Sequence, residues 1–362
     1  MPIGDPRGAG VNHLPAFARG GLAVALCLPA LGLALAWPAG AATLQVGPDA
    51  EFKTPSAAAK AVEDGDTVEI APGEYFDCAI WRASRVTVEG TGPGVVLTDL
   101  PCEGKASFVT RGDGITLRNL TFTRIRVPDR NGAGIRAEGR DLTVEHSRFI
   151  NNQVGILAGD AMPSTITVRD CAFSDNGVAD APGGGTADLL IGRIVLLRVE
   201  HSQLLDRKGG AAIVSDAVRS ELAGNRIAAG GAAGRPFVVG ATGGGSLVMD
   251  DNALTLGAGA GAVAVEVAQD GDLPAGEVAL RHTVLVNDTG APAVLLRNWG
   301  DATPVLQANT LPPGDTELSS DGATLHRLKQ AAHRTIAWLR ATAAGLRHIA
   351  ALVVHRLQAM TA

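Results

Sequence analysis

Hydrophobic and polar residues alternate in short runs along most of the chain, and the runs recur. Eight copies align: ITLRNLTF (115–122), LTVEHSRF (142–149), ITVRDCAF (166–173), LRVEHSQL (197–204), SELAGNRI (220–227), LVMDDNAL (247–254), VALRHTVL (278–285) and PVLQANTL (304–311). They begin 27, 24, 31, 23, 27, 31 and 26 residues apart. Self-similarity at this period marks a solenoid, whose units cannot bury their apolar face alone. Alternation within a copy reads as a strand with one buried face. The third position is Leu117, Val144, Val168, Val199, Leu222, Met249, Leu280 and Leu306, and the eighth is Phe122, Phe149, Phe173, Leu204, Ile227, Leu254, Leu285 and Leu311. Stacked like on like, these positions make one continuous core. The sixth turns polar, as Ser147, Ser202, Asn225, Asn252, Thr283 and Asn309. Such residues read as a ladder hydrogen-bonding along the axis.

A second short strand precedes most copies, as in AGIRAEG, VGILAGD, DLLIGR and AAIVSD. Two or three short strands per coil predict an all-β, right-handed parallel β-helix solenoid. DGDTVEIAPGEY (64–75) and RVTVEG (85–90) read as its first coils. TPSAAAKAVEDG (54–65) reads as a short N-terminal capping helix with Thr54 or Ser56 at its N-cap. Such a cap keeps the first coil from exposing core and strand edges.

Past residue 321 the period changes. Leu325, Ala332, Leu339, Leu346, Val353 and Met360 recur every seven residues, and Leu328, Ile336, Ala343, Ile349 and Leu357 widen the stripe. Arg327, Arg334, Arg340, Arg347 and four histidines run beside them. Residues 321–362 therefore read as a long basic amphipathic C-terminal helix, roughly 55 Å from end to end. It exceeds what a cap needs. Docking on the solenoid, self-association and contact with an anionic membrane surface all remain open for it.

Composition places the chain outside the cytosol. Arg7 and Arg19 precede an apolar run from Gly21 to Trp37, and Ala39-Gly40-Ala41 is a small-x-small cleavage signature, so 1–41 reads as an export signal. Residues 42–320 are then the β-helix domain. In an oxidising compartment Cys78 and Cys102, 24 residues or about one coil apart, are a disulfide candidate. Cys171 sits at an inward repeat position and reads as a buried thiol. Cysteine and histidine show no zinc spacing, so no metal site is expected from them. Removing the two basic and one acidic residues of 1–41, and the six basic residues of the tail, from totals of 31 and 37 leaves 23 and 36, a net of −13 for 42–323. A body of that charge repels polyanions and excludes nucleic acid as a partner.

TPSAAAKAVEDGDTVEIAPGEY followed by NGAGIRAEGRDLTVEHSRFINNQVGILAG resembles the pectin-lyase-like right-handed parallel β-helix proteins over about residues 43–311. Within them it is most similar to exported bacterial β-helix repeat proteins of unassigned activity. The resemblance implies a fold and a polysaccharide or envelope-protein partner, without choosing a reaction, because that fold hosts lyases, hydrolases, epimerases and binding proteins. Such relatives often carry a His-Asn pair and a Tyr where this chain has ADLLIG (187–192). They often carry a His and a Lys-Ser-Arg run where it has GGAAIVSDA (209–217). Both stretches are mostly small and apolar here.

Candidate chemistry follows residue type. A polyuronate lyase needs a base such as Arg or Lys and a cation to acidify the proton it removes. The candidates for the catalytic groups are Arg136, Arg207 and Lys208, with Arg130 and Arg193 as further basic ligands. Asp129, Glu138, Asp160 and Asp188 are the acids able to hold Ca²⁺ if the chain is a lyase. All of them read equally well as solvated turn and outward strand residues. A hydrolase would need clustered aspartates, which the repeats do not supply. Aromatics make up 4% of the chain, and Trp81 and Trp299 are the rings left to stack on a sugar. The expected function is a non-catalytic, exported envelope scaffold that binds a glycan or a protein, with no cofactor. The alternative is a polysaccharide lyase or related carbohydrate-active enzyme.

Overall fold

The structure is a computed structural model that describes residues 40–179, 186–229, 237–258, 262–267 and 273–319. The proposed export signal (1–41) lies outside these residues except at its last two positions, and the tail helix (321–362) lies wholly outside them. Thirty described strands form three sheets of eleven, ten and nine strands, and between Thr67 and Asn298 each coil contributes one strand to each sheet in turn. Neighbours pair in parallel throughout, as in Val144↔Val168, Phe149↔Phe173 and Ile135↔Ile156. Sheet A runs from Thr43–Val46 to Val305–Gln307, sheet B from Gly73–Tyr75 to Val284–Asn287, and sheet C from Ala79–Trp81 to Thr316–Ser319. This is the parallel β-helix expected from the repeat.

Each of the first seven aligned copies is two strands rather than one, and the last is one strand and an isolated bridge at Thr310. Residues 142–145 belong to sheet A and residues 148–150 to sheet B. The break falls at the fifth position. Asn119, His146, Asp170, His201, Asp251, His282 and Ala308 there have φ of 48–55°, and Gly224 has φ 65°. Left-handed backbone is disfavoured for most side chains and is best tolerated by Gly, Asn, Asp and His. The corner is therefore written in the sequence at that position, although alternation across it imitates one long strand. Thr43–Val46 is a further strand that the repeat alignment did not include. It pairs in register with Thr67–Ile70.

The third and eighth positions stack as the alternation required. Val199 pairs with Val168 and Leu222, and Phe149 with Phe122 and Phe173. Trp81, Phe108, Phe122, Phe149 and Phe173 form a spine in which adjacent ring centroids are 5.3, 5.2, 5.2 and 4.6 Å apart. Trp81 is fully buried within it, so it presents no face to a sugar. The sixth-position side chains accept hydrogen bonds from the corner amide of the coil before. Ser202 N–H donates to Asn225 Oδ1 (2.9 Å) and Asn225 N–H to Asn252 Oδ1 (3.0 Å). Leu120 N–H and Cys171 N–H donate in the same way to the Ser147 and Ser202 hydroxyls. The ladder thus satisfies corner amides that strand pairing leaves over.

The helix Pro55–Ala61 begins at Thr54, whose hydroxyl accepts from Ala57 N–H. Its Ala58 and Ala59 join the core cluster. Cys78 and Cys102 are disulfide-bonded, with Cα atoms 5.4 Å apart.

The sheets differ on their outer faces. Sheet A shows Thr143, Glu145, Thr167 and Arg169 to solvent, and Arg118, Glu145, Arg169 and Glu200 alternate in sign at contacts of 2.8–3.2 Å. Sheet C does not follow this pattern. In the strand Ala133–Ala137, Ile135 and Ala137 point into the main core, while Ala133 packs outward with Ala106, Val109, Val154 and Leu157. A second outward cluster joins Ala187, Ala211, Val214, Phe237 and Val263, and Leu190 touches both.

Candidate functional site

Outside the core, charged side chains converge at the rim of sheet C. Lys105 precedes the strand Ala106–Thr110 and Arg111 follows it; Arg136 lies in the next strand and Glu138 just after that. Parallel pairing sets Arg136 beside Val109 and therefore brings these groups together. Glu138 accepts from Lys105 Nζ (2.7 Å) and Arg111 Nε (2.8 Å), and Arg136 Nε lies 4.0 Å away. Glu103 closes the group, accepting from the same Lys105 and Arg111. The disulfide at Cys102 anchors the loop that carries Glu103 and Lys105. Arg136 Nε is buried and has no hydrogen-bond partner among the described residues, while its side chain as a whole remains 29% exposed.

The electrostatics of the rim hold its cations as cations. Hydrogen bonds to Glu138, then to Glu103, raise Lys105 and Arg111 above their ordinary values. Burial pushes Glu138 up, but the hydrogen bonds from Lys105 and Arg111 outweigh it and keep the carboxyl below the usual glutamate range. Arg111 and Lys105 lower Glu103 in the same way.

Asp188 and Arg207 are brought together, but inside the solenoid. Their side chains are 0% and 2% exposed, and Arg207 Nη1 lies 3.6 Å from Asp188 Oδ2. They end a buried ladder. Ile125 N–H donates to Asn152 Oδ1, Asn152 N–H to Asn176 Oδ1, and Asn176 Nδ2 to Asp188 Oδ1 at 2.9 Å. Burial drives the Asp188 carboxyl up to about 6 against the pull of Arg207, and it lowers Arg207. Neither residue is the solvated turn or strand group that its sequence position suggested, and neither can touch an external substrate directly. The inward direction of Asp188 comes from the local backbone, which turns the second residue of a sheet C strand toward the core. Gly134 and Gly155 occupy that place in earlier coils, where an added Cβ would come within 2.7 Å of the Phe149 ring and 2.8 Å of the Phe173 ring.

The remaining candidates are dispersed. Asp129 and Arg130 are exposed on a loop pinned by Gln153, whose Oε1 accepts from Val127 N–H and Gly132 N–H at 2.8 Å each. Asp160 accepts from Arg193 N–H at 2.8 Å. Lys208 Nζ donates to Asn151 Oδ1 (2.5 Å), which also accepts from Arg126. Arg126 was not singled out in the sequence, and burial lowers its guanidinium. The four acids proposed to hold a cation do not converge. Asp250, Asp251 and His282 instead bring their ligand atoms within 4.8 Å of one another. Asp251 and His282 share the fifth repeat position on adjacent coils, so the alignment carried that signal. Cys171 is a buried free thiol pushed up to about 12 by burial, which removes it as a nucleophile. Trp299 is partly buried, with the Arg297 guanidinium 5.7 Å from its ring centre. Phe76, at 60% exposure, is the open ring that sequence reasoning passed over.

Neither a protein-family model nor a curated protein sequence matches the chain. Solved structures do. The pectate lyase Pel9A superposes with a TM-score of 0.50 at 13% identity, covering 78% of this chain and 79% of that one. An alginate lyase from Paenibacillus sp. str. FPU-7 gives 0.48 at 14% identity, over 77% of this chain and 98% of that one. The pectin methylesterase from Aspergillus niger gives 0.45 at 14%, over 78% and 91%. The chain therefore shares the right-handed parallel β-helix fold of the pectate lyase Pel9A. At such identity the likeness concerns architecture, and function has to come from the site.

Proposed function

We propose that this is an exported envelope protein whose solenoid presents a non-catalytic polysaccharide-binding surface, with Arg136 at its centre. One observation carries the reading. Lys105 and Arg111 donate hydrogen bonds to Glu138 and Glu103, which favours their charged forms, the reverse of what a proton-abstracting base requires. A rim of fixed cations and carboxylates can hydrogen-bond sugar hydroxyls and carboxylates, and its ion-paired Lys105 and Arg111 are poor proton acceptors. The Cys78–Cys102 disulfide and polysaccharide-acting β-helix neighbours support export and a carbohydrate ligand.

Arg126 favours a second reading. It is a partly exposed arginine moved toward deprotonation, and it meets Lys208 at Asn151. A lyase built on this chain would use Arg126 as base.

The test exposes the full secreted chain to acidic and neutral polysaccharides, with and without Ca²⁺, and measures both retention and new unsaturated or reducing ends. Retention without turnover, weakened at least tenfold by Arg136→Ala, is expected. Turnover on any polysaccharide would sink the binding reading, and loss of that turnover in Arg126→Ala would establish the second.

A further inference from the structure

Asp250, Asp251 and His282 meet at the corner between sheets A and B, whereas the charged rim belongs to sheet C. Asp250 ends the strand Gly245–Asp250, and Asp251 is the left-handed corner residue that follows. His282 is the corner residue of the next coil, directly after the strand Ala275–Arg281. Pairing of Asp250 with Arg281 fixes the register, so parallel stacking sets His282 over Asp251. His282 Nδ1 lies 3.4 Å from Asp250 Oδ1 and 3.6 Å from Asp251 Oδ1, and the three ligand atoms fall within 4.8 Å of one another. The His282, Asp250 and Asp251 side chains are 52%, 41% and 76% exposed, so an ion reaches them from solvent.

We propose that these three side chains bind a divalent transition metal of the zinc class, with one coordination position left open. The donor set selects the metal. An imidazole nitrogen beside two carboxylate oxygens suits Zn²⁺ and its neighbours, whereas Ca²⁺ and Mg²⁺ take oxygen ligands. The spacing agrees. With bonds of about 2.0–2.1 Å, a tetrahedral ion holds adjacent donors about 3.3–3.4 Å apart. The two nitrogen–oxygen distances lie near that edge, and both are long for a hydrogen bond. Three protein donors leave the fourth position to water or to a donor from outside.

The backbone under the donors is fixed by the coils. Asp251 N–H donates to Arg281 C=O (3.1 Å), and His282 N–H donates to Gln307 C=O (2.9 Å). Asn252, buried in the ladder, donates to Asp250 C=O at 2.9 Å. Arg281 acts from outside the donor set. Its Nη1 lies 3.7 Å from Asp250 Oδ2, and its Nη2 is 3.3 Å from Glu277 Oε1. Engaging one oxygen of Asp250 leaves the other, Oδ1, turned to His282, as outer partners orient metal-binding carboxylates.

The same corner shows what the other coils lack. His146 faces Asp170 at 3.9 Å, but the residue before Asp170 is Arg169, a cation where the later coil has Asp250. His201 packs over Gly224, which offers no ligand. His282 is thus the corner histidine that meets two carboxylates of one coil. Stacking of neighbouring coils assembles the donors, so no zinc spacing within one stretch of chain marks them. The site stands or falls separately from polysaccharide binding, since it concerns different residues.

Histidine-selective NMR of the full, metal-stripped chain tests it, with the His282 ring signal assigned by its loss in His282→Gln. A readout taken at His282 is blind to zinc held by other histidines. Zn²⁺ in slight excess is expected to shift the His282 signal and leave that of His146 in place, and Mg²⁺ is expected to shift neither. In Asp250→Asn with Asp251→Asn, whose side chains lie outside the core, the zinc shift at His282 should be lost. An unmoved His282 signal in wild type would show a plain ion pair and overturn the proposal. A zinc shift that survives the double variant would overturn it too, as would an equal response to Mg²⁺. Cobalt gives a second reading. Wild type should show more of the intense visible absorption of four-coordinate Co²⁺ than His282→Gln, and identical spectra would count against the site.

Discussion

The Asp188 carboxylate faces the Arg207 guanidinium at 3.6 Å inside the solenoid, with both side chains essentially inaccessible. The pair is longer than a hydrogen bond, and Asp188 Oδ2 and Arg207 Nη1 have no hydrogen-bond partner among the described residues. Two desolvated charges in this geometry recover little of the cost of burying them. Removing one leaves the other alone. We therefore expect Asp188→Ala or Arg207→Ala to destabilise the fold by about 3–5 kcal/mol, and Asp188→Leu with Arg207→Met to be neutral or stabilising. Urea unfolding of the three variants checks this. A double variant as unstable as the singles would mean that the pair contributes more than its geometry indicates.

The same pair sets a pH dependence. Asp188 titrates near 6 when folded, against an ordinary value of 3.8. Below about pH 4 the carboxyl is protonated in both folded and unfolded chains and costs nothing. Between the two values the unfolded chain ionises while the folded one does not, so stability falls as pH rises. Above 6 the full cost is present, roughly 3 kcal/mol. Glu138, Glu221 and Glu277, whose values are lowered in the fold, act in the opposite sense and lose their contribution in acid. The difference between wild type and the Leu/Met double variant isolates Asp188. That difference should grow from pH 4 to pH 6 and then level off; a flat difference would refute the assignment.

The asparagine ladder should be unforgiving. Asn225 accepts from Ser202 N–H and donates to Val199 C=O at 2.9 Å each, and all of these groups are buried. Asn225→Ala orphans two backbone groups at about 1–3 kcal/mol apiece. A loss of about 2–6 kcal/mol is expected, with slower hydrogen exchange at the Ser202 amide in wild type than in the variant. Equal exchange rates would mean that water replaces the side chain at no cost.

Reduction separates the three cysteines of the described residues. Opening Cys78–Cys102, which closes 24 residues, should cost about 3 kcal/mol. It should also loosen the loop bearing Glu103 and Lys105. Alkylation of the reduced but folded chain is expected at Cys78 and Cys102 and not at Cys171, whose thiol is buried. Native labelling of Cys171 would contradict the packing at that corner.

At Gly134 the close approach is to ring atoms, with an added Cβ 2.7 Å from Phe149. Gly134→Ala should therefore overpack the spine and destabilise by about 1–3 kcal/mol, read from thermal unfolding. An unchanged melting temperature would show that the Phe149 ring can shift.

The solenoid was legible because its stabilising unit is local and repeated. Val144 and Phe149 need no distant partner beyond their own copies one coil away, so periodicity alone named the core and the polar ladder. The left-handed corner was equally present in Asn119, His146, Asp170 and His201. It was read through because alternation by two persists across a single bent residue. The charged groups were a different matter. Asp188 and Glu138 are both acids near strand ends, and nothing in their neighbours along the chain tells one from the other.

What the sequence by itself determined is thus the fold, the identity of the buried stack and the Cys78–Cys102 pair, because parallel stacking maps residues one coil apart onto one another. Only the tertiary structure decided that Asp188 and Arg207 turn inward to meet each other while Glu138 turns outward to gather Lys105 and Arg111. Side-chain direction at Asp188 depends on a local departure from strand alternation in sheet C, and the partners come from coils whose loops differ in length. Strand periodicity carries no record of either.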